Sequence, residues 1–395
     1  MTGLLGDWVN LLLKWAHFIA GIAWIGSSFY FIWLDRALSA PVKPRPGVEG
    51  EVWMVHSGGF YQTEKRRPGP GEMPAVLHWF KWEALITWIT GIALLVLIYY
   101  LSNAYLLDPA VSGIGRGSAI ALGIGLLVVG WLVYDLLWRS PLANGAGGLA
   151  TAISLALLAA VTIASCRLLS GRAAYMHVGA LLGTLMVANV WMRILPAQQA
   201  MIDATRSGRP ADFTLGERAK RRSVHNSYMT FPLLFIMLSS HYPATYASAD
   251  NWLVLLLLFV AGAAVRHVMI GRWPAARWAF APALAALGGA MFFSTPKRTA
   301  APSTTGTAVP TFAAVRGVVV QRCLPCHSRF PSDVTFGAAP AGVAFDTPEA
   351  IARLAERIRV RVVETETMPL GNKTGMTPDE RELLARWIAA GAQLR

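Results

Sequence analysis

Charged residues and cysteines are both scarce in this chain. Of its 395 residues, 14% are charged and 54% are hydrophobic, and this composition excludes an ordinary soluble enzyme of the same length. Three cysteines are too few for a disulfide framework, and Cys166 stands alone in an apolar run, where a small buried hydrophobe is expected. We also expect no separate cleavable signal peptide, because the first apolar stretch is too long and has no small-residue cleavage site.

Eight apolar stretches are long enough to cross a bilayer, which takes about 20 residues per helix. Basic residues concentrate in the loops 35–78 and 196–224, and the positive-inside rule places both loops in the cytoplasm. A net charge of +13 with this distribution indicates membrane orientation and not nucleic-acid binding. Because the number of spans is even, both termini are expected outside. The predicted spans are residues 8–34, 79–101, 118–138, 148–168, 174–195, 228–246, 251–270 and 274–294.

The predicted fold class is therefore all-α, with two folded parts. Residues 1–294 form an eight-helix transmembrane bundle, residues 295–311 are a flexible linker rich in Pro, Thr and Ala, and residues 312–395 form a small soluble domain. That last domain lies on the outer, periplasmic side of the membrane by the same charge rule.

The soluble domain contains a CxxCH motif in the sequence RCLPCHS, residues 322–328. Cys323 and Cys326 can each add to one vinyl group of a haem, and His327 then lies under the iron as its ligand. The motif predicts one covalent haem c and a class I cytochrome c domain. A chance match or a thiol–disulfide pair is the alternative.

Two methionines compete for the sixth position on the iron. Met368, followed by Pro369 in an extended segment, is the preferred ligand, and Met376 is the alternative. A final helix, capped by Thr377, closes the domain. His/Met ligation raises the reduction potential and suits an electron carrier.

Histidines inside the predicted spans are candidates for further cofactors, since ionisable residues in a bilayer are costly. His17 has Gly21 one turn along its helix, and His177 has Gly179 and Gly183 nearby. Small residues beside a histidine leave room for a flat macrocycle, which predicts a haem b held by His17 and His177 as iron ligands, with one or two membrane haems in all. The alternative is that these glycines only allow close helix packing.

Four stretches resemble one family over essentially the whole chain: WAHFIAGIAWIGSSFYFIWLD, EVWMVHSGGFY, HVGALLGTLMVANVWMRILPAQ and RRSVHNSYMTFPLLFIMLSSHYP. They are similar to the bacterial membrane-bound urate hydroxylase (urate oxidase) family, which joins an eight-helix membrane domain to a C-terminal cytochrome c. The resemblance implies oxidation of urate to 5-hydroxyisourate in purine catabolism. It also implies a multi-pass protein of the bacterial inner membrane, surrounded by lipid, that passes electrons to a downstream periplasmic cytochrome or terminal oxidase.

Residues near the cytoplasmic ends of the spans are the candidates for substrate chemistry. His56, His225, Asn226 and Tyr228 lie among apolar residues at membrane entry and offer a base and hydrogen bonds to an imide edge. The basic residues beside them are equally consistent with a solvated loop.

Two other functions stay open: a non-catalytic cytochrome that relays electrons from a quinol or a partner dehydrogenase, and a transporter fused to a redox sensor. The sequence does not indicate the oligomeric state.

Overall fold

Apolar helices that run between two ends of a bundle make up most of the molecule. We describe residues 3–101, 105–109, 111–271, 274–295, 309–333 and 339–394 of a computed structural model. Most of the predicted linker, 295–311, lies outside these residues. The helices of the bundle are α1 (Gly3–Ala37), α2 (Trp82–Leu95), α3 (Arg116–Arg139), α4 (Pro141–Gly145), α5 (Gly147–Leu168), α6 (Gly171–Asn189), α7 (Leu195–Arg206), α8 (Phe213–Ser239), α9 (Pro243–Tyr246), α10 (Asn251–Ile270) and α11 (Phe280–Ser294).

Seven helical segments in the described residues are long and apolar enough to span a membrane, which confirms a multi-pass membrane protein in outline. The eighth predicted span, 228–246, covers the second half of α8, a turn and α9. Helix α8 is longer than this span. Its first half is highly charged, and this part of the predicted loop 196–224 is helical. The apolar half of α8 packs between α6 and α10, and an exact count of eight spans stays a prediction.

A β-hairpin interrupts the predicted loop 35–78, so the all-α prediction was incomplete. Strand β1 (Val48–His56) pairs antiparallel with β2 (Gly59–Arg66). The two residues between the strands, Ser57 and Gly58, have φ angles of 49° and 76°, as a two-residue hairpin turn requires. Lys65 of the hairpin pairs with Asp35 at the end of α1 (2.5 Å), so the hairpin marks one end of the bundle, here called the hairpin end.

Helix α6 is the centre of the bundle. Its buried side chains include Tyr175, His177 and Val178, each 0% exposed. Lipid tails are as apolar as leucine, so helices associate in a membrane by close packing and hydrogen bonds more than by the hydrophobic effect. A Cβ at Gly179 would lie 2.6 Å from Ile236 of α8, and this glycine therefore permits the approach of the two helices.

Two of the long helices widen into π-helical turns. Helix α2 continues as a π-helix over Val96–Tyr100, and α6 continues as one over Val190–Ile194. Such turns are rare and often lie at functional sites. The first brings Tyr99 and Tyr100 against His177, with ring centroids 5.9 and 5.6 Å away.

The C-terminal unit, residues 309–333 and 339–394, has its own core. Helices α12 (Phe312–Arg322) and α15 (Pro378–Ala389) pack against each other, with Phe312 and Trp387 in ring contact at 6.0 Å. Thr377 and Glu380 form a capping box at the start of α15, which confirms the predicted cap. The remaining helices are α13 (Pro348–Arg353) and α14 (Ala355–Ile358), which a π-helix extends over Arg359–Glu364.

The contact at Gly123 of α3 gives the first prediction. A Cβ there would lie 2.3 Å from the Tyr100 hydroxyl and 2.7 Å from His177 Nε2. We expect Gly123→Ala to destabilise the bundle by about 1–3 kcal/mol, since overpacking forces neighbours out of place. Gly125→Ala, on the same helix with nothing within 4 Å of its Cβ, is the matched control. The midpoint of thermal unfolding in detergent measures both, and equal midpoints would contradict this packing.

Candidate functional site

The CxxCH motif lines a cavity in the C-terminal unit. Cys323, Cys326 and His327 lie along its wall together with Met368. The His327 Nδ1 is 2.9 Å from the Val343 carbonyl oxygen, so it donates a hydrogen bond there, and Nε2 is left for a ligand. We call this space the CxxCH cavity.

Met368 and Met376 lie on different cavities. Met368 lines the CxxCH cavity, whereas Met376, 3% exposed, belongs to the domain core and lines the larger cavity next to it. The backbone around Met368 is held on both sides, since its N–H donates to the Arg361 carbonyl (2.9 Å) and its carbonyl accepts from Arg381 (2.8 Å). Met368 is therefore the methionine that shares a cavity with His327.

The environment of the two cysteines differs from that of a reactive dithiol. Burial raises the pKa of Cys323 to about 12 and also raises the pKa of Cys326, whereas reactive CxxC cysteines have a lowered pKa. A neutral thioether suits such a site better than a thiolate. Burial lowers the pKa of His327, so its imidazole is neutral at neutral pH, as a ligand must be.

The other side of the CxxCH cavity is closed by the bundle. Tyr105, Arg172 and Tyr246, at the bundle end opposite the hairpin, contribute to its lining. The same three residues also line a second cavity of about 1010 Å³ between the bundle and the C-terminal unit. We call the second space the interdomain cavity and this end of the bundle the cytochrome-motif end.

His177 does not fit the predicted role of an iron ligand. Its ring is 0% exposed and both nitrogens are engaged: Nδ1 with the Ala173 carbonyl (2.8 Å) and Nε2 with the Tyr100 hydroxyl (3.0 Å). A Cβ at Gly123 would lie 2.7 Å from Nε2, so α3 packs closely against this ring.

His17 packs at a different level of α2 from His177. Its Nδ1 lies 2.9 Å from the Thr87 carbonyl, and a Cβ at Gly91 would be 3.0 Å from its ring. Gly91 and Tyr100, which touch His17 and His177 respectively, are nine residues apart, roughly 13 Å along a helix. The two histidines therefore contact α2 at different heights, and a haem b held by both of them stays a prediction.

A network of buried charges lies toward the hairpin end. The Asp135 carboxylate, 5% exposed, accepts hydrogen bonds from Arg222 (2.9 Å) and from Arg193, whose Nε is 2.8 Å away. Arg193 belongs to the π-helical turn after α6, so that turn directs a guanidinium at the carboxylate.

His225 and Asn226 join this network. The His225 Nδ1 is 2.8 Å from the Tyr134 hydroxyl, and Asn189 donates both to that hydroxyl (3.0 Å) and to the Asn226 side-chain oxygen (2.9 Å). Among the described residues, Asn189 Oδ1 and Arg222 Nη1 are buried without a hydrogen-bond partner. The Asp135 cluster comprises Tyr134, Asp135, Asn189, Arg193, Arg222, His225 and Asn226.

Sequence reasoning found only two members of this cluster. An aspartate inside the apolar run WLVYDLLW, 131–138, is a costly residue in a span, and this signal could have identified Asp135. Arg222 was assigned to the cytoplasmic loop 196–224, and Arg193 fell inside the predicted span 174–195 without a role, because their pairing with Asp135 depends on tertiary contacts between three helices.

The other two predicted catalytic residues lie elsewhere. His56 is exposed at the tip of the hairpin. The Tyr228 hydroxyl contacts His267 Nδ1 at 2.7 Å, next to Arg266, which is 2% exposed and donates to Ser227 (2.8 Å). The structure thus brings together His225 and Asn226 but not the set of four.

The apolar bundle is that of a multi-pass membrane protein, with buried polar groups and an adjoining CxxCH unit. The family model described as "Urate oxidase N-terminal" matches residues 3–294, and the chain belongs to this family. Membership indicates an oxidoreductase that acts on urate. No curated protein and no solved structure matches the chain. In the described ranges, no group of three or more His, Cys, Asp or Glu side chains could hold a metal ion.

The Asp135 cluster gives a second prediction. Asp135→Asn removes the shared partner of two arginines, and an uncompensated buried charge costs about 3–5 kcal/mol. The midpoint of thermal unfolding in detergent should fall sharply. Asp203→Asn is the control, because Asp203 is exposed on α7 and its carboxylate accepts only from Gln199. An Asp135→Asn midpoint no lower than that of the control would show that the network does not stabilise the bundle.

Proposed function

We propose that this protein oxidises urate to 5-hydroxyisourate and passes the electrons to a haem c in its C-terminal unit and onward to the respiratory chain. The family match over residues 3–294 supports urate as the substrate. The electron route is supported by the CxxCH cavity, because Tyr105, Arg172 and Tyr246 of the bundle line it together with the motif.

The residues of the CxxCH cavity fit a haem c. Cys323 and Cys326 would bind it covalently, and His327 and Met368, on the same cavity wall, would bind its iron. When bound, this group accepts electrons one at a time. The Val343 carbonyl holds the His327 ring in place (2.9 Å), and Arg381 and Arg361 position the Met368 segment.

The overall reaction balances without oxygen as a reactant. Urate and one water give 5-hydroxyisourate, two protons and two electrons, with the new C–O bond formed at C5 by the oxygen of water. The bundle must therefore bind a planar anion, accept protons and bring the ring near the electron acceptor. For a substrate bound at the hairpin end, His225 with Asn226 would be the proton acceptor among the predicted catalytic residues, because a neutral imidazole suits that role.

The setting of the protein follows from the same proposal. The bundle lies in lipid in the bacterial inner membrane, with the C-terminal unit in the periplasm, where haem c is attached. A periplasmic cytochrome or a terminal oxidase then takes the electrons from the C-terminal unit.

Activity of the purified protein separates the three functions considered above. With urate, the ultraviolet absorbance of the substrate should fall while the haem c band becomes reduced, and the protein alone should consume no oxygen. A haem that stays oxidised with urate but is reduced by a quinol would support a non-catalytic relay instead. Urate movement into vesicles without any change in the haem spectrum would indicate a transporter.

The axial ligand gives a further prediction. Met368→Leu should abolish the weak sulfur-to-iron absorption band at long wavelength while the haem stays covalently attached. Met376→Leu is the matched control, since Met376 lines the other cavity, and it should keep the band. Loss of the band in Met376→Leu alone would reverse the assignment.

A further inference from the structure

The interdomain cavity and the CxxCH cavity share part of their walls. Tyr105, Arg172 and Tyr246 line both spaces. The interdomain cavity, at about 1010 Å³, reaches the upper end of the volumes typical of small-molecule sites. A molecule bound there would lie directly beside the CxxCH motif.

Arg172 is a cation on the wall that the bundle contributes to both cavities. It lies in the first turn of α6, with its guanidinium carbon 4.6 Å from the centroid of the Tyr105 ring. Its Nε is buried without a hydrogen-bond partner, and no ion pair joins it to a carboxylate among the residues described. Burying a charge without an opposite charge is costly, so this position favours an anionic ligand.

The other charges of the cavity are nearly balanced. Arg381 lies 3.8 Å from Glu366, and both are on the wall that the C-terminal unit contributes. Asp108, Arg167 and Glu382 complete the charged lining. The attraction for an anion is therefore local to Arg172 and does not come from the cavity as a whole.

The backbone of Tyr246 is held in place by contacts within the bundle. The Asn251 side chain donates to the Tyr246 carbonyl (2.9 Å), and the Tyr175 hydroxyl is 2.7 Å from the Asn251 carbonyl oxygen, to which it donates. A Cβ at Gly171 would lie 2.0 Å from the Tyr246 carbonyl oxygen, so only glycine allows the end of α9 to pack against the start of α6. These contacts hold Tyr246 beside Arg172 before any ligand arrives.

We propose that urate binds in the interdomain cavity, with its negative charge at Arg172 and its ring against Tyr105 and Tyr246. Aromatic side chains stack on planar rings, and a guanidinium is a strong donor to an anionic oxygen or nitrogen. This inference rests on the proposed function and specifies its substrate site. It places the substrate at the cytochrome-motif end, next to the electron acceptor, and not at the hairpin end with His225.

The dissociation constant of urate tests this site. The probe is radiolabelled urate, measured by equilibrium dialysis against the full-length protein reduced with dithionite, so that no turnover occurs. We expect Arg172→Gln to weaken binding by about tenfold or more, and Arg172→Lys, which keeps the charge, to restore part of it. Arg277→Gln is the control, because it removes a positive charge from an exposed residue at the hairpin end. It should leave binding within about twofold of the unaltered protein. Tyr105→Leu provides a second, uncharged weakening variant if Arg172→Gln does not fold.

A haem carboxylate is the rival partner for Arg172, and the midpoint potential of the haem distinguishes this pairing from urate binding. If Arg172→Gln shifts the potential and leaves urate binding unchanged, Arg172 serves the haem and the inference is overturned. Weakened binding in His225→Gln with none in Arg172→Gln overturns it in favour of the hairpin end, while the proposed function stands. Absence of urate binding by the unaltered protein would overturn both.

Discussion

Closure of the CxxCH cavity by the apolar bundle is the contact on which the rest of the molecule depends. Cys323, Cys326 and His327 alone would describe a small electron carrier, whereas Tyr105 and Arg172 on the facing wall place that carrier at the end of a membrane domain. Electron transfer weakens steeply with distance, so this contact decides from where electrons can reach the motif. A substrate at the same end needs no cofactor inside the bundle, and the packing of His177 against Tyr100 and Gly123 agrees with that simpler arrangement.

Buried charge divides the bundle into two regions. Toward the hairpin end, Asp135 is shared by Arg193 and Arg222, and this network neutralises its own carboxylate and joins α3, α6 and α8. At the cytochrome-motif end, Arg172 has tyrosines around it and no carboxylate partner in the part of the chain that is described. Arg266, buried toward the hairpin end, also has no carboxylate partner among the described residues, but Arg172 is the one of the two that lines a large cavity, and that position suits ligand binding.

Local features were predictable from the sequence, and contacts between distant segments were not. Hydropathy located the spans because a bilayer imposes length and apolarity on each helix separately, and the Thr377 cap needed only four consecutive residues. The hairpin was missed because the basic residues of segment 35–78 led to its assignment as a loop. The pair Ser57-Gly58, between two stretches of alternating polar and apolar residues, is typical of a hairpin turn and could have predicted it. Arg172, Tyr105 and Tyr246 come from three separate segments, and their convergence depends on helix packing that composition and spacing do not encode.

The central claim is that urate gives its electrons to the covalent haem and not to oxygen. The most direct measurement is an anaerobic titration of the oxidised, purified protein with urate, in which haem c reduction and urate loss are followed together. The account predicts reduction of the haem with each urate consumed supplying two electrons, in the complete absence of oxygen. Urate loss only after oxygen is admitted, with an equal amount of hydrogen peroxide formed and the haem still oxidised, would contradict it.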